Sequence, residues 1–127
     1  ANDLASHAKK VLIITRHEKR RFPEHCDFIT SPGYIDGPDG RKNAGLSSPY
    51  PDIFVITDLG VMAIDKSSGR LRVESLMPEV SLEQVRENTG FELPDGDIEP
   101  VEPPTEAELR LLREEVDPGG EYLKSPE

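Results

Sequence analysis

The chain has 127 residues, the size of one domain with a single core. Hydrophobic residues make up 35% and charged residues 31% of the sequence, which is typical of a soluble globular protein. No apolar run approaches the roughly 20 residues of a membrane helix, and the first ten residues lack a signal-peptide core, so we expect a cytoplasmic protein.

The net charge of −10 is unevenly distributed along the chain. Residues 92–127 hold 12 acidic and 3 basic residues, so the first 91 residues are nearly neutral. A dense basic cluster lies within them, formed by Arg16, His17, Lys19, Arg20 and Arg21. We therefore expect neither a nucleic-acid nor a membrane partner, and we treat the acidity as a property of the tail.

Short apolar strands are predicted in the first third of the chain. Residues 10–15, KVLIIT, form a β-branched run typical of a buried strand. Residues 26–30, CDFIT, indicate a second short strand, and the single Cys26 is expected to be a small buried hydrophobe. Residues 31–52 then form a long loop rich in glycine and proline, a length that favours a functional loop.

Three further strands are predicted at residues 53–57, 60–65 and 70–76. Residues 66–69, KSSG, are typical of the turn between the last two. In the last strand polar and apolar residues alternate, so one face is expected to be solvated.

Two helices follow, each introduced by a capping box. Ser81 with Gln84 predicts a short helix over residues 82–89, and Thr105 with Glu108 predicts a surface helix over residues 106–115. The second helix is expected to dock on the sheet through a narrow apolar stripe. The proline-rich residues 93–104 are the best linker candidate.

Several strings, in order along nearly the whole chain, resemble the B-type polypeptide of glutaconate CoA-transferase and, more distantly, succinyl-CoA:3-oxoacid CoA-transferases. They are ND at residues 2–3, RHEKRRF at 16–22, DFITSPGYIDGP at 27–38, VITDLGVMAID at 55–65, VSLEQVRENTGFEL at 80–93 and PPTEAELRLLREEVDP at 103–118. The resemblance implies an α/β fold, an open mixed sheet with flanking short helices, as part of a CoA-transferase-type (NagB/RpiA-like) domain. Residues 1–93 then form the C-terminal part of that domain, and residues 94–127 form an acidic, proline-rich tail.

The resemblance also implies a function and partners. The expected enzyme transfers CoA between carboxylic acids, with the active site between an A-type and a B-type subunit, acyl-CoA as a ligand, coenzyme A as a substrate and no resident cofactor. Two alternatives stay open: a B-type subunit of a CoA-ester ring-cleaving hydrolase, and a non-catalytic docking module.

The family's glycine pair precedes the Asn-Asp dipeptide, whereas this chain opens at Ala1-Asn2-Asp3 without it. In the family the nucleophile is a glutamate further toward the N-terminus, and none of the acids here matches its motif. We therefore expect no catalytic residue in this chain, a missing N-terminal half of the B-type polypeptide, and an inactive fragment when the chain is alone.

Eight residues are candidates for substrate or CoA binding. Asn2, Asp3, Ser31 and Gly33 are candidates by the resemblance, and Arg16, His17, Arg20 and Arg21 because they follow a predicted buried strand, at whose carboxyl end α/β sheets place ligands. The guanidinium groups suit phosphates or a carboxylate. The bland alternatives are a cap for Asn2-Asp3, a solvated or subunit-facing surface for the basic cluster, paired with Glu18 and Glu24, and turn geometry for the glycine. No catalytic triad is predicted, because His7 and His25 have no partnering Ser or Cys at a recognisable spacing. No metal site is predicted, because His7, His17 and His25 do not form a known zinc pattern.

Overall fold

The computed structural model describes residues 2–94 and 98–122. Ala1, part of the predicted linker and the end of the tail lie outside the described residues. The elements are α1 Asn2–His7, β1 Lys10–Ile14, a 3₁₀ turn Lys19–Arg21, α2 Gly40–Asn43, β2 Asp52–Ile56, β3 Gly60–Asp65, β4 Arg70–Leu76, α3 Leu82–Glu87, β5 Glu99–Pro100, α4 Glu106–Leu111 and a π-helical turn Leu112–Val116. None of the described helices is long and apolar enough to cross a membrane.

The strands form one mixed sheet in the order β1-β2-β3-β4-β5, which confirms the predicted open mixed sheet with short helices. β1 is parallel to β2, the pairs β2-β3 and β3-β4 are antiparallel, and β5 is parallel to β4. A bulge between Val61 and Met62 shifts the register of β3 against β4. Since β5 joins the sheet, the described part of the tail is not separate from it, and the division at residues 93 and 94 stays a prediction.

The core lies on one face of β2, β3 and β4, where alternate residues point inward. Val55, Met62 and Val73 are buried there. Phe22, Val85 of α3 and Leu93 complete the cluster. The predicted alternation in β4 is confirmed, because Val73 is buried while Arg70 and Arg72 are exposed.

β1 is present, but the prediction that it is buried is wrong. Leu12 is 59% exposed and Ile14 is 80% exposed. β1 is an edge strand, and among the described residues no strand pairs with its outer side. A sequence typical of an interior strand thus lies at a sheet edge.

The predicted strand at residues 26–30 is also wrong, since these residues are irregular. Phe28 is 82% exposed and Ile29 is 76% exposed, so this apolar run contributes nothing to the core. Cys26 is exposed rather than buried. The apolar residues beside Cys26 thus neither form a strand nor bury its thiol.

Residues 31–51 of the predicted loop fold compactly around α2, and Asp52 begins β2. The Tyr34 hydroxyl donates to the Pro51 carbonyl oxygen at 3.0 Å, and its ring is buried. Gly40 is required at its position, because a Cβ there would lie 2.5 Å from the Tyr34 carbonyl oxygen. Ile35 has φ of 62°, a backbone conformation that is strained for a β-branched residue.

Both predicted capping boxes are confirmed, although the helices are shorter than predicted. The Ser81 hydroxyl accepts from the Gln84 N–H at 3.3 Å, and Thr105 accepts from Glu108 at 3.2 Å. The predicted 82–89 helix ends at Glu87, where Asn88 caps it. The 106–115 helix stops being α-helical at Leu111.

The predicted docking of α4 on the sheet is wrong for the described residues. No residue of α4 is buried, and Val116 is 64% exposed. Leu109 and Leu112 are half-buried. The apolar stripe is present in the sequence, but its residues are at most half-buried in the structure.

Candidate functional site

The structure separates the predicted site residues into two groups. Asn2 and Asp3 lie on α1, near the loop that carries Ser31 and Gly33. Arg16, His17, Arg20 and Arg21 follow β1, as the sequence predicted. No hydrogen bond among the described residues joins the two groups.

A cavity of about 490 Å³ lies between α1 and the loop, and we name it the α1 cavity. Asn2, Ser31 and Gly33 line it together with the apolar side chains of Ile29 and Leu46. Asp3 is exposed at the first turn of α1 and does not line this cavity. The Asn2 carboxamide oxygen accepts from the Ser6 hydroxyl at 3.3 Å, which holds the amide on its own helix.

A second cavity of about 540 Å³, the β1 groove, lies on the other side of the same loop. Leu4 of α1 and Val11 and Leu12 of β1 line it, so its walls are mostly apolar. Ser31, Pro32 and Gly33 line both cavities and therefore form their common wall.

Arg41 is the residue that sequence reasoning missed at this wall. Its side chain is fully buried, and it donates hydrogen bonds to five carbonyl oxygens, those of Ala5, Ser6, Pro32, Gly33 and Ser48. The only sequence signal is an arginine within turn residues, PDGRKN, which is also typical of an exposed residue. Nothing in that pattern indicates burial.

A histidine–serine pair lies beside α1. The Nδ1 atom of His7 is 2.5 Å from Oγ of Ser47, a contact that the sequence spacing did not indicate. Both side chains are exposed, and no carboxylate among the described residues bonds the other ring nitrogen of His7. The pair connects the end of α1 to the loop and lacks the orienting group of a catalytic triad.

His17 is buried, unlike the rest of the basic cluster. Its Nδ1 atom is 3.2 Å from the Thr57 hydroxyl and its Nε2 atom is 3.0 Å from the Thr89 hydroxyl. The ring stacks on Phe22 with centroids 4.2 Å apart, and the backbone N–H donates to Asp58 at 2.7 Å. Burial lowers the pKa of His17, although the Asp58 carboxylate opposes this shift. His17 thus joins the end of β1 to the β2-β3 turn and to α3.

The arginines of the cluster stay exposed on the surface. Glu18 forms ion pairs with Arg20 and, at 3.5 Å, with Arg21. The hydrogen bond from Arg20 lowers the pKa of Glu18. Glu24 instead faces His25, at 3.7 Å, so it does not pair with the cluster as the sequence suggested. Arg16 forms no ion pair with the described residues, which leaves its charge available to a ligand or a partner.

A family model described as coenzyme A transferase matches residues 1–88, more than half of the chain. The chain belongs to the coenzyme A transferase family. The predicted family is thus confirmed, and the match spans both cavities and the basic cluster.

Among curated relatives, the B-type polypeptide of glutaconate CoA-transferase from Acidaminococcus fermentans is 39% identical over 126 residues, which cover 99% of this chain and 47% of the relative. The B-type polypeptide of 3-oxoadipate CoA-transferase from Pseudomonas knackmussii is 41% identical over 114 residues, 89% of this chain and 44% of the relative. The cholesterol ring-cleaving hydrolase IpdB subunit of Rhodococcus jostii is 33% identical over 106 residues, 83% of this chain and 41% of the relative.

Among solved structures, glutaconate coenzyme A-transferase from Acidaminococcus fermentans matches with a TM-score of 0.88 and 40% identity, over 99% of this chain and 48% of that chain. The likeness therefore covers nearly the whole chain. This family member spans about half the length of the curated relatives it matches.

Proposed function

We propose that these residues form part of the B-type subunit of an enzyme that transfers CoA between carboxylic acids. The observation that carries the proposal is the 39% identity to the B-type polypeptide of a CoA-transferase over 126 residues, which cover 99% of this chain. The proposed partners are an A-type subunit and the remaining part of a B-type polypeptide. The location that fits such an enzyme is the cytoplasm.

The proposed reaction begins when a glutamate carboxylate attacks the thioester carbonyl of an acyl-CoA. An acyl-glutamyl anhydride forms and the CoA thiolate leaves. The thiolate then attacks the glutamyl carbonyl, which releases the carboxylic acid and gives an enzyme–CoA thioester. An incoming carboxylate reverses these steps and departs as the new acyl-CoA, so CoA is a substrate and no resident cofactor is proposed.

In this scheme the chain contributes binding groups, and the nucleophile lies outside it. The α1 cavity combines the amide of Asn2 and the hydroxyl of Ser31 with apolar walls, which suits a short acyl chain that ends in a polar group. The exposed guanidinium groups of Arg16, Arg20 and Arg21 suit the CoA phosphates or a substrate carboxylate. His17 is excluded from direct contact by its burial, so its proposed role is to hold the segment that carries these arginines.

The test is to express the full polypeptide with an A-type subunit and to assay transfer from acetyl-CoA or succinyl-CoA to glutaconate and to 3-oxoadipate. Addition of acyl-CoA followed by borohydride should inactivate the enzyme, because borohydride reduces the glutamyl-CoA thioester. Borohydride without acyl-CoA is the control and should leave activity intact. Transfer that persists after this treatment would contradict the thioester mechanism.

A hydrolytic function is the second candidate, favoured by the 33% identity to the cholesterol ring-cleaving hydrolase IpdB subunit. It is weaker than the first, because that match covers 83% of the chain, against 99% for the glutaconate enzyme. The same preparation distinguishes them. A ring-cleaving hydrolase would add water to a cyclic CoA ester and open its ring without an acceptor acid, and it would resist borohydride.

A further inference from the structure

Arg41 holds together three segments that are distant in sequence. Its Nη2 atom donates to the carbonyl oxygens of Ala5 and Ser6, both at 3.0 Å, at the C-terminal end of α1. Its Nη1 atom donates to Pro32 at 3.2 Å and to Gly33 at 3.0 Å. Its Nε atom donates to Ser48 at 2.8 Å, which fixes the far side of the loop.

The bonding pattern depends on the guanidinium shape. Arginine carries five N–H donors in a rigid plane, so one buried side chain can satisfy carbonyls that approach from several directions. All five acceptors are carbonyl oxygens, whose dipoles stabilise the buried charge in place of an acid. A lysine has the same charge but places its three hydrogens on a single nitrogen, so it cannot reach the same set.

Most of these carbonyls belong to residues that line the two cavities. Pro32 and Gly33 form the common wall of the α1 cavity and the β1 groove. Ser6 lines the α1 cavity, and Ala5 lines the β1 groove. Four of the five carbonyl partners of Arg41 therefore belong to residues that shape one or both cavities.

We propose that Arg41 is a positioning residue that sets the distance between α1 and the Ser31 to Gly33 wall, and thereby the width of an acyl-CoA site. This inference rests on the proposed function and deepens it. Arg41 itself does not contact the ligand, since its side chain is fully buried. Its loss should weaken ligand binding more than it slows the chemical step, which the proposed glutamate carries out elsewhere.

The test uses the full enzyme with its A-type subunit and acetyl-CoA as the probe, with kinetic constants expressed per folded active site. Arg41→Lys should raise the KM for acetyl-CoA on the order of tenfold, with a much smaller change in kcat. The reason is that part of the ligand's binding energy must then restore the position of the Ser31 to Gly33 wall. Arg41→Ala should show a larger effect that added guanidinium ion partly reverses. Lys42→Ala is the matched control, since Lys42 is exposed on the same helix.

Each outcome decides the question. Unchanged KM and kcat in Arg41→Lys with a lower unfolding midpoint would show that Arg41 only stabilises the fold, and would overturn the positioning role. A wild-type enzyme without any CoA transfer would overturn the proposed function and this role with it. If both variants fail to fold, hydrogen exchange of the wild-type enzyme decides: acetyl-CoA should protect residues 2–8 and 31–34 together, and unchanged exchange in both would refute the inference.

Discussion

His17 shows how a single residue can depart from the chemistry of its neighbours. The Thr89 hydroxyl donates to the Val85 carbonyl oxygen at 2.7 Å, so its own oxygen is free to accept from Nε2–H of His17. The Thr57 hydroxyl oxygen accepts the backbone N–H groups of Leu59 and Gly60, and its hydrogen is within reach of both the Gly60 carbonyl oxygen, at 3.0 Å, and Nδ1 of His17, at 3.2 Å. When that hydrogen points to Nδ1, the two threonine hydroxyls satisfy both nitrogens of a neutral imidazole.

The neutral state predicts a pH dependence of stability. Because burial lowers the pKa of His17, the unfolded chain takes up a proton at a higher pH than the folded chain does. The contribution of His17 to the free energy of unfolding is therefore complete above the ordinary pKa of about 6.5, and it is lost as the pH falls toward the lowered folded value. Urea unfolding at a series of pH values below 6.5 should show stability rising with pH.

The control for this dependence is a histidine that the structure leaves exposed. His17→Gln should flatten the pH dependence, whereas His25→Gln should preserve it, since the side chain of His25 is 89% exposed. Equal slopes for wild type and His17→Gln would mean that other groups cause the effect.

Among the elements, β1 combines an interior sequence with an edge position. Apolar residues on both faces are typical of parallel strands that are covered on both sides. Here Leu12, Ile13 and Ile14 are each more than two fifths exposed, and the β1 groove adds further apolar surface beside them. Such an edge is a template for pairing with another chain.

We predict that residues 1–127 expressed alone self-associate through β1. Sedimentation velocity should show association that increases with protein concentration, and Ile14→Lys should reduce it, because an edge lysine opposes strand pairing. Val116→Lys is the matched control, a β-branched residue that is also exposed but lies outside the sheet. Equal association in both variants would exclude β1 as the contact.

The helical segment of α4 and the π-helical turn after it is less buried than its sequence predicted. Leu112 is half-buried, so Leu112→Ala should cost about 1 kcal/mol or less. Met62 is 1% exposed, and Met62→Ala should cost about 2–5 kcal/mol. Unfolding midpoints of the two variants check the contrast, and a loss for Leu112→Ala as large as that for Met62→Ala would contradict the half-buried position of Leu112 in the π-helical turn.

At the scale of the whole molecule, sequence patterns predicted local structure well. The alternation in β4 and the capping boxes at Ser81 and Thr105 depend on neighbouring residues, and they were found. The strand at residues 26–30 failed, because apolar composition alone cannot distinguish a core strand from an exposed apolar segment. The β1 edge failed for a related reason, since burial depends on what lies beside a strand.

The candidate site was predictable only in part. The resemblance directed attention to Asn2, Ser31 and Gly33, which the structure does bring to one cavity. The sequence grouped His17 with the arginines. In the structure, however, the His17 ring is held by Thr57 and Thr89, which lie 40 and 72 positions further along the chain. Arg41 gave no signal, because its partners are backbone carbonyls, which every residue type carries.

The exposed arginines give the last prediction, which concerns the assembled enzyme. Arg16 has no ion pair with the described residues, whereas Arg20 is paired with Glu18, so Arg16→Ala should have the larger effect. Exposed ion pairs contribute about 0.2–1 kcal/mol each. The double variant Arg16→Ala with Arg20→Ala should therefore raise the KM for acyl-CoA, or the dissociation constant of the subunits, roughly 2- to 30-fold. Added salt should diminish the difference from wild type.

The two readouts distinguish the possible partners of this cluster. Steady-state kinetics at saturating A-type subunit reports binding of the CoA phosphates or carboxylate, and sedimentation reports assembly. Arg110→Ala with Arg113→Ala is the control, because it removes the same charge from the exposed face of the tail. If the variant that lacks Arg16 and Arg20 keeps wild-type values in both measurements, these two arginines are solvated surface, and the acyl-CoA contacts of this chain must come from other residues.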